Sequence, residues 1–261
     1  MANADTFVEK DNTKYVLTWN SFGDKLTTLR SWLDVTNGIA TKVNVVCCQE
    51  FGNSPLLYPA TENHDHSYKY LPFTNRTGGM HIFWTRWART HHPGNAPDNL
   101  RCSLAVIRVG AANLTTDCYI ALENAARPAI GINYADAYIY SFHNDAHGGA
   151  ATPGKDMADF LNTTLHKGEQ WMLVGDFNCT PDKMIRSDWT VRYDKSVSTT
   201  RRVTGTGQEI ANNHYDYVVQ ANRSGVEERR FSNHIGKRMP ANILSSDHFP
   251  VLFQIFSTKE Q

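Results

Sequence analysis

The sequence predicts an α/β sandwich, in which stacked β-sheets carry helices on their outer faces. Two observations carry this. Nine segments of five to nine residues are dense in β-branched and aromatic side chains, and just two stretches show helical spacing of their apolar residues. Strands in that excess over helices, distributed along the whole chain, point to packed sheets rather than to a bundle or a single parallel sheet. The predicted strands are KYVLTWN (14–20), VNVVCCQE (43–50), MHIFWTRW (80–87), RCSLAVIRV (101–109), AIGIN (129–133), AYIYSFH (137–143), QWMLVGDF (170–177), YDYVVQA (215–221) and HFPVLFQIF (248–256). One helix is predicted over 25–40, where Leu26, Leu29, Trp32 and Leu33 share a face. The other is predicted over 154–165, with Met157, Phe160, Leu161 and Leu165 on one side and Pro153 at its start. The segments 52–79, 88–100 and 144–153 are rich in His, Pro, Gly and Asn and read as surface loops. A single domain is expected over 14–257, with tails at 1–13 and 258–261.

Composition narrows the class further. Of 261 residues, 41% are hydrophobic and 20% charged, which excludes a disordered, collagen-like or coiled-coil chain. No apolar run approaches the length that spans a bilayer. Lys and Arg total 26 and so do Asp and Glu, so no overall field draws the chain toward nucleic acid. The five cysteines include no CxxC pair, which argues against a zinc site. Cys47 and Cys48 lie in an apolar run and read as core, while Cys102 and Cys118 flank a hairpin where a disulfide is one alternative. The N-terminus, MANADTFVEKDN, lacks a basic segment followed by an apolar one and does not read as a signal peptide. A mature secreted chain reads the same way.

The strand ends carry the chemical signal. KYVLTWN ends in Asn20, VNVVCCQE in Glu50 and AYIYSFH in His143; QWMLVGDFN ends in Asp176 and Asn178. YDYVV begins at Asp216, and the last strand is entered through Asp247 and His248. Buried strands ordinarily end in turn residues, so this run of ligand-capable ends suggests one shared crevice. Carboxylates and amides without thiolates suit a hard cation such as Mg²⁺. Two histidines offer a general acid and a general base near neutral pH, and a further carboxylate can orient one of them. Together these suggest metal-assisted phosphodiester hydrolysis. There is no GxSxG elbow and no P-loop.

Taken in order, TWN (18–20), QE (49–50), RPAIGI (127–132), SFH (141–143), GDFNCTP (175–181), DYVV (216–219) and SDHFPV (246–251) resemble the endonuclease/exonuclease/phosphatase superfamily that includes deoxyribonuclease I. The details are most similar to its branch of cytolethal distending toxin catalytic subunits. The resemblance implies a four-layer sandwich of two mixed sheets flanked by helices, and a Mg²⁺-dependent phosphodiesterase that nicks DNA, with Mn²⁺ able to substitute. It implies that Glu50 is the main metal ligand, with Asn20 and Asp247 close to the ion. Asp176 and Asn178 resemble the pair that positions the attacking water and the scissile phosphate. His248 resembles a catalytic histidine oriented by Asp216, His143 the second histidine, and Arg127 a phosphate-holding arginine. Toxin delivery subunits as partners, secretion, and action in a host nucleus are implied in the same way. Arg127 also reads as a surface arginine and Asn20 as a strand-end cap. His147, His64 and His66 read as loop residues.

One departure stands out. In deoxyribonuclease I a glutamate from the strand corresponding to GMHIFWTRW (79–87) supports the first histidine, and this strand has no acid. His143 is therefore expected to rely on a weaker partner, a backbone carbonyl or water. The alternatives to a nuclease are a phosphoinositide phosphatase on the same fold and a catalytically decayed binding homologue. Basic pairs at 201–202, 229–230 and 237–238 offer contacts to DNA phosphates or are solvated surface.

Overall fold

The computed structural model describes residues 14–21, 26–52, 66–86, 103–121, 128–135, 137–144, 151–193, 202–203, 209–210, 213–221, 237–238, 248 and 250–255. The first strands are β1 (Lys14–Asn20), β2 (Val43–Gln49), β3 (His66–Pro72), β4 (Gly79–Arg86), β5 (Ser103–Gly110), β6 (Cys118–Ala121), β7 (Ala129–Tyr134) and β8 (Ala137–His143). They are followed by β9 (Trp171–Asp176), β10 (Trp189–Arg192), β11 (Arg202–Val203), β12 (Glu209–Ile210), β13 (Asp216–Ala221), β14 (Lys237–Arg238) and β15 (Val251–Ile255). Sheet I has seven strands in the order β14-β15-β1-β2-β5-β4-β3, and sheet II six in the order β10-β13-β9-β8-β7-β6. Each sheet is antiparallel except at one central pair, β1–β2 in sheet I and β8–β9 in sheet II.

Three apolar clusters define four layers. Leu26, Leu29, Trp32 and Leu33 of α1 (Leu26–Leu33) pack on the outer face of sheet I against Leu17, Trp19 and Val46. Met157 and Ala158 of α2 (Thr152–Phe160) pack on the outer face of sheet II against Tyr140, Trp171 and Tyr217. Between the sheets, Val16, Val45 and Cys47 meet Ile139, Met172, Val174 and Val218. The order is helix, sheet, sheet, helix, as the sandwich expectation requires.

All nine predicted strands form, with ends shifted by up to three residues. Three expectations need correction. The segment 52–79 is not all loop: His66–Pro72 is edge strand β3, pairing Tyr68 with Phe83 and Tyr70 with His81. The helix expected over 25–40 stops at Leu33, and a 3-10 turn (Ile39–Lys42) follows. Asp34 makes the last i−4 bond to Arg30, while its carboxylate accepts the amides of Thr74 and Asn75 from the β3–β4 turn. Asn37-Gly38, with Gly38 at φ 82°, then turns the chain where a side chain would be strained. Leu165 is not core: the second helix ends in a π-helical turn (Leu161–Leu165) that leaves it 38% exposed. Cys118 is a free thiol, and Cys102 lies outside the described residues. No helix among the described residues is long and apolar enough to cross a membrane.

Candidate active site

Strand periodicity assembles the site. Val16, Val45, Ile139, Val174 and Val218 face the space between the sheets. Counting by twos from each, Asn20, Gln49, His143, Asp176 and Asp216 face the same space. The registers bring them level. Asn20 sits beside Gln49 at the end of the parallel β1–β2 pair. His143 sits beside Asp176, and Asp176 beside Asp216, across β8, β9 and β13. Polar residues thus replace the apolar core at one end of the sandwich.

Asp176 is the hub of the cluster and is fully buried. Its Oδ2 accepts a 3.0 Å hydrogen bond from Asn20 Nδ2. The same oxygen lies 3.6 Å from His143 Nε2 and 3.5 Å from His248 Nε2. Its Oδ1 accepts the Asn178 amide at 2.8 Å. His248 Nδ1 bonds Asp216 Oδ2 at 2.8 Å. A carboxylate accepts only, so that nitrogen carries the proton and Nε2 presents its lone pair. Asp176, Asp216 and His248 offer ligand atoms within 4.8 Å of one another. The short Asp216–His248 bond commits two of these groups to each other, so we read the trio as a His–Asp pair beside a third carboxylate.

Two of the residues break the backbone rules. Glu50 has φ 50° and Asn178 φ 48°, in the left-handed region that non-glycine residues seldom enter. Regular alternation after the inward Gln49 would aim Glu50 at the outer layer. The reversed φ turns it back, and its Oε1 lies 3.9 Å from His143 Nε2. Neighbouring bonds hold the turn: Ser21 donates its main-chain N–H to Gln49 O, and its hydroxyl reaches Gln49 O and Glu50 O at 3.1 and 3.0 Å. Gly52 N–H donates to Ser103 Oγ at 2.7 Å. Such conformations persist where the surroundings over-determine them, and they concentrate at functional sites.

A buried polar bridge ties the sheets together behind the site. Thr18 donates to Gln49 Oε1 at 3.3 Å, Gln49 Nε2 donates to Ser141 Oγ at 3.0 Å, and Ser141 donates to Cys48 O at 3.0 Å. Gly175 leaves room for it. A Cβ there would sit 1.9 Å from Phe142 O and 3.0 Å from Gln49 Nε2, so no other residue fits between Val174 and Asp176 without moving β8.

The structure brings Asn20, Glu50, His143, Asp176, Asn178, Asp216 and His248 into one constellation. Arg127 and Asp247 lie outside the described residues, as do His147 and His64; His66 opens the edge strand β3. The His143 expectation changes. Its Nε2 faces two carboxylates, from the ends of β2 and β9, so acid is supplied by neighbours other than β4. On β4, the 81, 83, 85 face is the inter-sheet face, because Phe83 belongs to the core shared by both sheets. His81 lies at the far end, bonded to Tyr68 OH and Ala111 O. Thr85, opposite Leu104, is the β4 position at the level of Gln49.

Sequence reasoning missed Gln49, Ser141 and Asn144. The first two had a signal: a polar side chain at an inward position of an otherwise apolar strand. Asn144 had none, because its partners lie 32 to 34 residues away.

A two-sheet sandwich with histidines and carboxylates at its strand ends has the architecture of a phosphoester hydrolase. The endonuclease/exonuclease/phosphatase family profile matches residues 17–248, and the chain belongs to that family. It is similar to a cytolethal distending toxin subunit homolog of Salmonella typhi, with 26% identity over 248 residues, 91% of this chain and 88% of that one. Its fold is similar to that of cytolethal distending toxin from Actinobacillus actinomycetemcomitans, with a TM-score of 0.58 at 20% identity over 92% of this chain and 97% of that chain. It is also similar to the endonuclease domain of TRAS1, a telomere-specific non-LTR retrotransposon, with a TM-score of 0.56 at 14% identity over 94% and 100%. The sandwich expectation and the resemblance to the toxin's catalytic chain are both borne out.

Proposed function

We propose that this chain is a divalent-metal-dependent endonuclease that nicks DNA, acting as the catalytic component of a cytolethal-distending-type toxin. The observation that carries the reading is the placement of Asp176 Oδ2 between Asn20, His143 and His248, with Asp216 on the far nitrogen of His248. The relative from Salmonella typhi supports the toxin assignment. Delivery subunits, secretion and action in a host nucleus follow from it as part of the proposal.

Each group has one role. His248, held by Asp216, takes a proton from the attacking water at Nε2 and becomes an imidazolium that the Asp216 carboxylate stabilises. Asp176 orients that water and the two imidazoles. His143 gives a proton to the leaving oxygen. Asn178 and Arg127 hold the scissile phosphate.

The donor set fits a hard cation. Glu50 Oε2 is a buried carboxylate oxygen that accepts no hydrogen bond from the described residues, and an oxygen so placed gains most from a cation. Asn20 uses its amide nitrogen on Asp176, so its amide oxygen is the atom it offers. Glu50, Asn20 and Asp247 would hold Mg²⁺, or Mn²⁺ in its place. When bound, the ion supplies charge neutralisation on the phosphate.

The test is a supercoiled-plasmid assay with Mg²⁺ and with EDTA, run beside phosphate release from phosphoinositides. Conversion to open circles with Mg²⁺ alone supports the proposal. Phosphate release without nicking would make the chain a phosphatase. Inertness in both, with the fold intact by circular dichroism, would leave a binding homologue.

A further inference from the structure

We propose that Asn144 is a positioning residue that fixes Asn178, and with it the chain end after β9, for phosphate binding. Its catalytic half rests on the nuclease reading above; its structural half stands on geometry alone.

Asn144 is fully buried and directly follows His143. It holds three consecutive residues of the neighbouring strand end. Its main-chain N–H donates to Asp176 O at 2.8 Å. Its side-chain Nδ2 donates to Phe177 O at 2.9 Å. Its carbonyl accepts from Asn178 Nδ2 at 2.9 Å. The first of these continues the parallel β8–β9 ladder by one residue. The other two begin where the ladder stops, since Asn178 lies at φ 48° and has left the strand.

This bonding dictates which way the Asn178 amide faces. The Asn178 main-chain N–H goes to Asp176 Oδ1, and its Nδ2 goes to Asn144 O. A flipped amide would set oxygen against oxygen at that contact, so Oδ1 must take the other branch. Phe177 packs its ring on Tyr217 at 4.2 Å between centroids. With its carbonyl also held by Asn144, the turn is fixed on both sides of Asn178. One residue of β8 thereby sets the histidine before it and the asparagine across from it in a single geometry. Misplacement of a positioned group by about 1 Å is enough to cost on the order of 10²-fold in rate.

The test uses Asn144→Leu, which keeps the volume and removes both polar side-chain atoms, and Asn144→Ser should the first fail to fold. The first readout is hydrogen exchange at the Asn178 main-chain amide, which needs no activity. The wild type should protect this amide and the variants should lose protection, with the amides of β8 and β9 unchanged. The second readout is nicking, where kcat should fall about 10²-fold with KM little changed. The third is the double variant with Asn178→Ala, which should be no slower than Asn178→Ala alone, because Asn144 acts through Asn178. A wild-type Asn178 amide that exchanges as fast as an open loop overturns the proposal without any variant. So does a folded Asn144→Leu with wild-type kcat, or an additive double variant. If the wild type does not nick DNA, the nuclease reading fails, and the exchange result alone decides whether Asn144 holds the turn.

Discussion

Two histidine–carboxylate pairs sit at opposite ends of sheet II, and they differ in what surrounds the second ring nitrogen. At the start of β8 and β9, His166 Nδ1 contacts Glu169 at 2.9 Å and Nε2 contacts Tyr140 OH at 2.7 Å. Its ring stacks on Tyr138 with centroids 3.7 Å apart. Both nitrogens and one face are committed to neighbours, so this pair is structure. At the other end of the sheet, five residues along β8 or roughly 16 Å at strand rise, His248 has one nitrogen on Asp216 and the other facing Asp176 at 3.5 Å. That second distance is too long for a hydrogen bond and leaves the proton-accepting atom toward the crevice. A histidine beside a carboxylate is therefore not a site in itself. What makes one is a second nitrogen left for chemistry.

The sharpest way to break this contrast is at the crevice end. His143→Ala should lower nicking by about 10²- to 10⁴-fold with an unchanged circular dichroism spectrum. Nicking at the wild-type rate by a folded variant would remove His143 from the chemistry. Next in size is the metal. Glu50→Gln keeps the shape and removes the charge, so Mg²⁺ or Mn²⁺ affinity measured by calorimetry should fall by at least about 10- to 100-fold. An unchanged isotherm would show that Glu50 is no ligand.

The bridge behind the site should respond in stability. Gln49→Leu leaves Thr18 and Ser141 without their shared partner between the sheets. It should cost about 1 to 3 kcal/mol in urea unfolding. A variant as stable as the wild type would show that the bridge is dispensable.

The smallest effect belongs to the far end. Burial holds the His166 imidazole below its ordinary pKa of 6.5, against the opposing pull of Glu169. The unfolded chain takes up this proton near 6.5, and the folded chain resists it until lower pH. Between those two values the unfolded state binds more protons, so stability falls as pH drops below about 6.5 and levels off once the folded pKa is passed. His166→Gln should flatten that part of the stability–pH curve. An identical slope in both proteins would assign it to other groups.

Much of this arrangement was legible in the sequence because it follows a period of two. Asn20, His143, Asp176 and Asp216 announce themselves as polar ends of apolar strands, and the strand register does the rest. Edge strand β3 was missed although Tyr68 and Tyr70 alternate, because His-, Asn- and Gly-rich flanks hid it. The reversed backbone at Glu50 and Asn178 was illegible, since neither is glycine and the bonds that hold them come from distant strands. Asn144 was hidden for the same reason. The helix boundary at Leu33 depended on Asp34 capturing a turn some 40 residues away, which no local pattern encodes.

The contrast between the two histidines can be tested with one pair of variants in one assay. His248→Ala and His166→Ala are compared for plasmid nicking in Mg²⁺ at a temperature where both remain folded. His248→Ala should lose about 10²- to 10⁴-fold in kcat, while His166→Ala keeps the wild-type kcat and unfolds at a lower temperature. Equal losses in the two variants, or wild-type nicking by His248→Ala, would contradict the assignment of chemistry to the crevice end.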